Sequence, residues 1–264
     1  MDLPPPSLAL VPLTVLYQDD YLVAVNKPPG LLVHRSDATP GNEPTLLRHL
    51  RDQIGRFLFP VHRLDRPTSG VMVYALSSEM AARMNKLFSQ RRVVKTYRAI
   101  VRGWMDDQGV IDLPLREQLD FSMETYEQTS RSLQAARTCY RTLARYEMPW
   151  PMNGFPTSRY SMVQVHPETG RWHQIRRHLN HVAHPIIGDH RHGDHRHNEL
   201  FAHHLGIHRM LLVAERLEFP HPHTSIWLTL TAPLGTSFPP IRTGIIVISR
   251  SETRVPPPAK IRRR

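Results

Sequence analysis

The chain has 264 residues and is 40 % hydrophobic, enough for one large domain or two small ones around a packed core. Lys and Arg total 34 against 23 Asp and Glu, a formal net charge of +11; with no cleanly amphipathic basic helix outside the globular region, the expected polyanionic partner is nucleic acid rather than a membrane. No signal-peptide pattern and no apolar stretch of ~18–20 residues is present, and the single cysteine, Cys139, excludes an internal disulfide framework and is given no role, so the expectation is a soluble cytoplasmic protein.

The proline-rich residues 1–13 read as a flexible lead-in to a catalytic domain spanning 14–240. TVLYQ and YLVAVNK, joined by Asp19-Asp20, predict a β-hairpin closed by Pro28, Pro29 and Gly30. TLLRHLRDQI carries Leu46, Leu50 and Ile54 at helical spacing. The polar segment HRLDRPTSG, His62 to Gly70, leads into an apolar run, Val71 to Leu76, that reads as a buried strand. Ser77 or Ser78 caps a helix whose apolar face is Met80, Met84, Leu87 and Phe88. Val93 to Val101 predicts a strand on which Tyr97 shares a face with Ala99 and Val101 and points inward.

Residues 119–136 are polar and poorly periodic, as in an insertion or RNA-facing loop. Arg159 to His166 reads as a strand, Glu168 to Gly170 as a turn, and Arg171 onward as a helix burying Trp172, Ile175, Leu179 and Val182. At about 100° per residue, Arg176 lies roughly 80° from the centre of that stripe and borders the core, whereas Arg177 faces solvent. Strands near Leu211 to Phe219 and Ile226 to Leu230 precede a basic, proline-containing tail, 241–264, read as disordered.

In the HRLDRPTSG loop Asp65 is flanked by Arg63 and Arg66. An arginine within hydrogen-bonding reach lowers a carboxyl pKa by ~1–3 units, so Asp65 is expected to stay ionised, which suits a nucleophile or electrostatic catalyst better than a proton shuttle. A solvated connector explains the nine residues equally well; the buried strand that follows favours function, since such scaffolds hold functional loops. A rival signal is HRHGDHRH, His190 to His197, where imidazoles with Asp189 or Asp194 are possible zinc ligands. Its spacing matches no strong zinc signature, so a polar RNA-facing loop and no metal are expected.

KPPG at Lys27 to Gly30, HRLDRPTSG, KTYRAIVRG at Lys95 to Gly103 and TGRWHQIRRH at Thr169 to His178 together resemble the RluA-type pseudouridine synthases. LVHRS, RDQIG and HPIIGDHRHGDHRHN resemble the branch acting on tRNA at uridine 65. The resemblance implies an α+β fold with a mixed, mainly antiparallel sheet flanked by helices, and isomerisation of uridine to pseudouridine in tRNA, in the acceptor/T-stem region. By the same resemblance Asp65 is the catalytic aspartate, Tyr97 stacks on the base, Arg176 pairs with the aspartate, and Arg63 and Arg66 contact RNA. An isomerisation without redox change needs no cofactor or metal, and a monomer without an obligatory protein partner is expected. Lys27 is read as structural. Where relatives carry LHA this chain has Leu212-Val213-Ala214. A ribosomal-RNA stem-loop as substrate, or a non-catalytic RNA-binding or chaperone role, are the alternatives.

Overall fold

A computed structural model describes residues 11–34, 44–117, 132–235, 238 and 246–247. β1 (Val15–Gln18) and β2 (Leu22–Lys27) form the expected hairpin, with Asp19 Oδ1 accepting the Tyr21 and Leu22 amides at 2.8 and 2.7 Å. Leu13 is buried and exchanges two hydrogen bonds with the Gln53 side chain, so the end of the presumed lead-in packs on the domain; residues 1–10 lie outside the described ones. α1 (Leu46–Ile54) starts where Thr45 accepts the Arg48 amide and stops at Gly55 in the left-handed region. β3 (Phe59–Pro60) and β4 (Ser69–Ala75) bracket the HRLDRPTSG loop. α2 (Ser78–Ser89), capped by Ser77, buries Met80, Met84 and Leu87 against Leu22, Val71, Val73 and Phe219.

The second half adds β5 (Val94–Arg102), β6 (Gln108–Asp112), β7 (Leu115–Arg116), β8 (Leu133–Gln134), β9 (Arg137–Met148) and β10 (Ser158–Pro167). It ends with α3 (Gln174–His181), α4 (His195–Leu205), β11 (Leu212–Pro220), β12 (Trp227–Thr231) and β13 (Ile246–Val247). The main sheet runs β1-β2-β4-β11-β5-β10-β9-β13, with β3 on β4, β6 on β9 and β12 on β11, while β7 and β8 form a separate ribbon. Among the described strands only β4 and β11 pair in parallel, so the architecture is α+β with a mixed, mainly antiparallel sheet.

That parallel contact sits at the foot of the HRLDRPTSG loop, pairing Ser69 with Val213 and Gly70 with Ala214. Gly70 has φ +114°, and a Cβ there would stand 2.2 Å from the Ala214 carbonyl oxygen, so only glycine fits. Val213, where the family resemblance leads one to expect histidine, is buried with Ile100, Tyr160 and Phe201 in an apolar cluster.

Several expectations change. Most of 119–136 lies outside the described residues, but its end forms β8, paired with β7. β9, the longest strand, occupies a stretch with no predicted element. α3 begins at Gln174 rather than Arg171, because the Gln174 side-chain Oε1 accepts from the Thr169 hydroxyl and the Arg171 amide and ties down the preceding turn. Trp172 therefore precedes the helix and lines a cleft instead of joining the buried stripe; Ile175 and Leu179 are buried as expected. The histidine-rich loop is half helix: Asp194 caps α4 and pairs with Arg102, and buried His197 contacts the Tyr160 hydroxyl at 2.9 Å. In the tail, the Ile246–Val247 backbone extends the sheet on β9; the rest of 241–264 is outside the described residues.

Candidate active site

The HRLDRPTSG loop is fastened from below by a lysine. Lys27, wholly buried at the end of β2, donates from Nζ to the carbonyls of Pro28, Arg66 and Thr68 at 2.8–3.0 Å. Each N–H of its ammonium thus has an acceptor, which is what makes a buried cation tolerable. Burial still pulls its pKa down to about 7, against the favourable charge of Asp65. Gly30 and Arg66 clasp the same loop, through Gly30 N–H to the Arg66 carbonyl and Arg66 Nε to the Gly30 carbonyl, both at 2.9 Å. His62 Nε2 accepts the Val73 amide at 2.9 Å, and burial lowers its pKa to about 4, so the ring is neutral.

Asp65 faces α3. Arg176 Nη1 donates to Asp65 Oδ2 at 3.0 Å, across 111 residues of chain. The other edge of the guanidinium grips Asp189 as a fork, with Nε to Oδ2 at 2.6 Å and Nη2 to Oδ1 at 2.8 Å. Asp189 is in turn fixed by the Arg191 and His192 amides on Oδ1, at 2.9 and 3.0 Å. These bonds, with the Arg176 charge, hold the Asp189 carboxyl below the usual range despite its burial.

The environment of Asp65 corrects the expectation of a depressed pKa. Desolvation lifts its carboxyl above the ordinary aspartate range and outweighs the opposing pull of Arg176 and, more weakly, Arg63. Arg176 is its hydrogen-bonding partner, while Arg66 is turned to Gly30. Tyr97, on β5 between Ala214 of β11 and Val165 of β10, faces the same space. Burial first, and the Asp65 charge second, raise its pKa and keep the phenol protonated.

These groups line a cleft of about 730 Å³ with Arg63, Lys95 and Trp172 on its walls. Lys95 donates to the Thr169 carbonyl at 2.7 Å, and burial lowers its pKa to about 8. A carboxylate braced by arginine beside a phenol and an indole can hold a flat base while the carboxylate acts on the attached sugar. Asp65, Tyr97, Arg176 and Arg63 thus meet in one place, and Arg66 borders an adjoining recess. Sequence reasoning missed Asp189 as the anchor of Arg176, although the HPIIGD segment that carries it was in view. It also missed His173, which lies 3.7 Å from Asp65 Oδ2. Among the described residues no cluster of three or more His, Cys, Asp or Glu side chains can hold a metal, and no helix is long and apolar enough to cross a membrane.

A carboxylate braced by an Asp–Arg–Asp bridge, in a cleft walled by arginine, lysine and aromatic side chains, suits an enzyme that acts on a base of a nucleic acid. The RNA pseudouridylate synthase family pattern matches residues 21–181, and the chain belongs to that family. It is 46 % identical over 231 residues to tRNA pseudouridine synthase C of Vibrio parahaemolyticus, covering 88 % of this chain and 94 % of the relative. To the protein of the same name from Vibrio cholerae it is 48 % identical over 222 residues, covering 84 % and 91 %. Among solved structures it superposes on human RNA pseudouridylate synthase domain containing 4 with TM-score 0.63 at 29 % identity, covering 83 % of this chain and 88 % of that one. Human RNA pseudouridylate synthase domain containing 1 shares the fold, with TM-score 0.64 at 24 % identity and coverage of 84 % and 83 %.

Proposed function

We propose that this protein isomerises uridine to pseudouridine in tRNA, at position 65 of the acceptor/T-stem region, and that it works as a cytoplasmic monomer. The observation that carries the reading is the 3.0 Å bond from Arg176 to Asp65 in the cleft that Tyr97 also lines. The names of the relatives support tRNA as the substrate.

In this reading Asp65, as a carboxylate, acts on the ribose of the target uridine, by adding at C1′ or by removing the C2′ proton. The N1–C1′ bond breaks, the uracil turns, and a C5–C1′ bond forms. The proton on C5 is lost and N1 ends protonated, so composition and oxidation state are unchanged. Tyr97 gives the uracil a face to stack on. Extruding a base from a stem costs a few kcal/mol, which phosphate contacts from Arg63, Arg66 and the excess of arginines offset.

Mapping pseudouridine in total RNA from a deletion strain tests the reading. The expected result is loss at tRNA position 65 with ribosomal RNA unchanged. Loss confined to ribosomal RNA overturns the substrate, and an unchanged map overturns the activity.

A further inference from the structure

Both side-chain contacts of the Asp65 carboxylate fall on one oxygen. Arg176 Nη1 reaches Oδ2 at 3.0 Å and His173 Nε2 lies 3.7 Å from the same atom. No described side chain is within hydrogen-bonding distance of Oδ1.

His173 is held with unusual care. Its ring stacks on Trp172, centroids 3.4 Å apart and planes at 13°. Its Nδ1 is 2.9 Å from His192 Nε2, with the two rings at 86°. Its backbone, at φ +50°, sits in the left-handed region just before α3, a conformation that persists in a non-glycine residue only where the surroundings over-determine it. The His192 amide donates to Asp189 Oδ1, the carboxylate that also grips Arg176. Both groups facing Asp65 therefore depend on Asp189.

The contact between His173 and His192 joins two ring nitrogens, only one of which carries the shared proton. A proton on His173 Nδ1 would leave the Nε2 lone pair facing a carboxylate oxygen, which is repulsive. With the proton on His192 Nε2, His192 donates to His173 Nδ1, and His173 carries its own proton on Nε2, aimed at Asp65. Burial and the charges of Arg176 and Arg191 oppose a doubly protonated ring. Electrostatics thus select the second arrangement.

We propose that His173, its tautomer set by His192, is a positioning residue that directs an N–H at Oδ2 of Asp65 and leaves Oδ1 as the oxygen presented to the ribose. The inference rests on the pseudouridine-forming reading of the site. At 3.7 Å the dipole of the Nε2–H acts through space on the charge of Oδ2, and catalytic hydrogen bonds commonly tighten only in the substrate complex. The charged and titratable groups around this pair are Arg176 on α3, Asp189, Arg191 and His192 between α3 and α4, Arg63 on the loop, Lys27 on β2 and Tyr97 on β5. They are the same in every His173 variant, so a shift among those variants reports the N–H itself.

The test is a pH series of pseudouridine formation on an unmodified tRNA transcript, with binding of the same transcript measured in parallel. His173→Phe keeps the stack on Trp172 and loses the N–H; His173→Gln restores a donor. For His173→Phe we expect kcat to fall about tenfold with Kd within about twofold, the acid limb of the kcat profile to move to higher pH, and His173→Gln to recover most of the loss. His192→Leu, which alters no atom facing Asp65, moves the limb the same way to a smaller extent. An unmoved acid limb in either His173→Phe or His192→Leu, or a Gln variant no better than the Phe variant, overturns the proposal while the wild type is active. A wild-type protein that forms no pseudouridine in any RNA overturns instead the reading on which the proposal rests.

Discussion

Arg176 serves two carboxylates at once, and they differ in what they contribute. Asp189, almost wholly buried, takes two of its N–H bonds, and Asp65, partly open to the cleft, takes one. Removing one partner of a buried pair leaves an uncompensated charge and costs about 3–5 kcal/mol. Asp189→Asn is therefore expected to lower unfolding stability in urea by an amount of that order and to lower kcat as well, because Arg176 loses its anchor. A variant that unfolds at the wild-type denaturant concentration would show that Arg176 is held by other means. The choice of Arg176 over Arg177 was legible in the sequence, because helical periodicity alone puts Arg176 at the border of the core. Asp189 was not, because it pairs through a turn whose geometry leaves no periodic trace, and its segment reads as a polar RNA-facing loop. The direction of the Asp65 pKa shift was misjudged for a related reason: adjacency in sequence says which charges are near, not how much water a loop excludes.

At the scale of elements, the active loop depends on where β4 meets β11. Gly70→Ala places a methyl carbon against the Ala214 carbonyl and forces a left-handed backbone on alanine. The parallel pairing must open to relieve it, and with it the loop carrying Asp65. The expected outcome is a large loss of thermal stability together with loss of activity; a Gly70→Ala protein that melts as the wild type would show that the two strands can separate freely. The hairpin, the capped helices α1 and α2, and strands β4, β5 and β10 were readable because their apolar spacing matches one period throughout. β9 was not. Opposite the Met162–Val163 step of β10, Leu143 is skipped in the pairing, which breaks the alternation of a twelve-residue strand. Its buried Thr138, Thr142 and Tyr146 then recur at a spacing of four, which hides the strand. The start of α3 shifted because left-handed His173 and the bonds of Gln174 override helix propensity in the preceding turn.

For the whole molecule, burial sets the acid limit of stability. His62, His166, His173, His178, His192 and His197 all have pKa values pushed below the ordinary histidine value, chiefly by desolvation. Their unfolded values lie near 6.5, so below that pH the unfolded chain binds more protons than the folded one, and stability falls as pH falls. Chemical unfolding between pH 7.5 and 5 is expected to show this decline; a flat profile over that range would mean the rings are protonated in the folded state. The net charge of +11 belongs to the same scale and fits a polyanionic substrate, whereas the proposed chemistry turns on one carboxylate, Asp65. The most direct measurement is release of tritium from tRNA labelled at C5 of uridine, comparing the wild type with Asp65→Asn, which retains the Arg176–Asp189 bridge. The account predicts release by the wild type and none by the variant, with RNA binding preserved in both. Release by Asp65→Asn at the wild-type rate would contradict it.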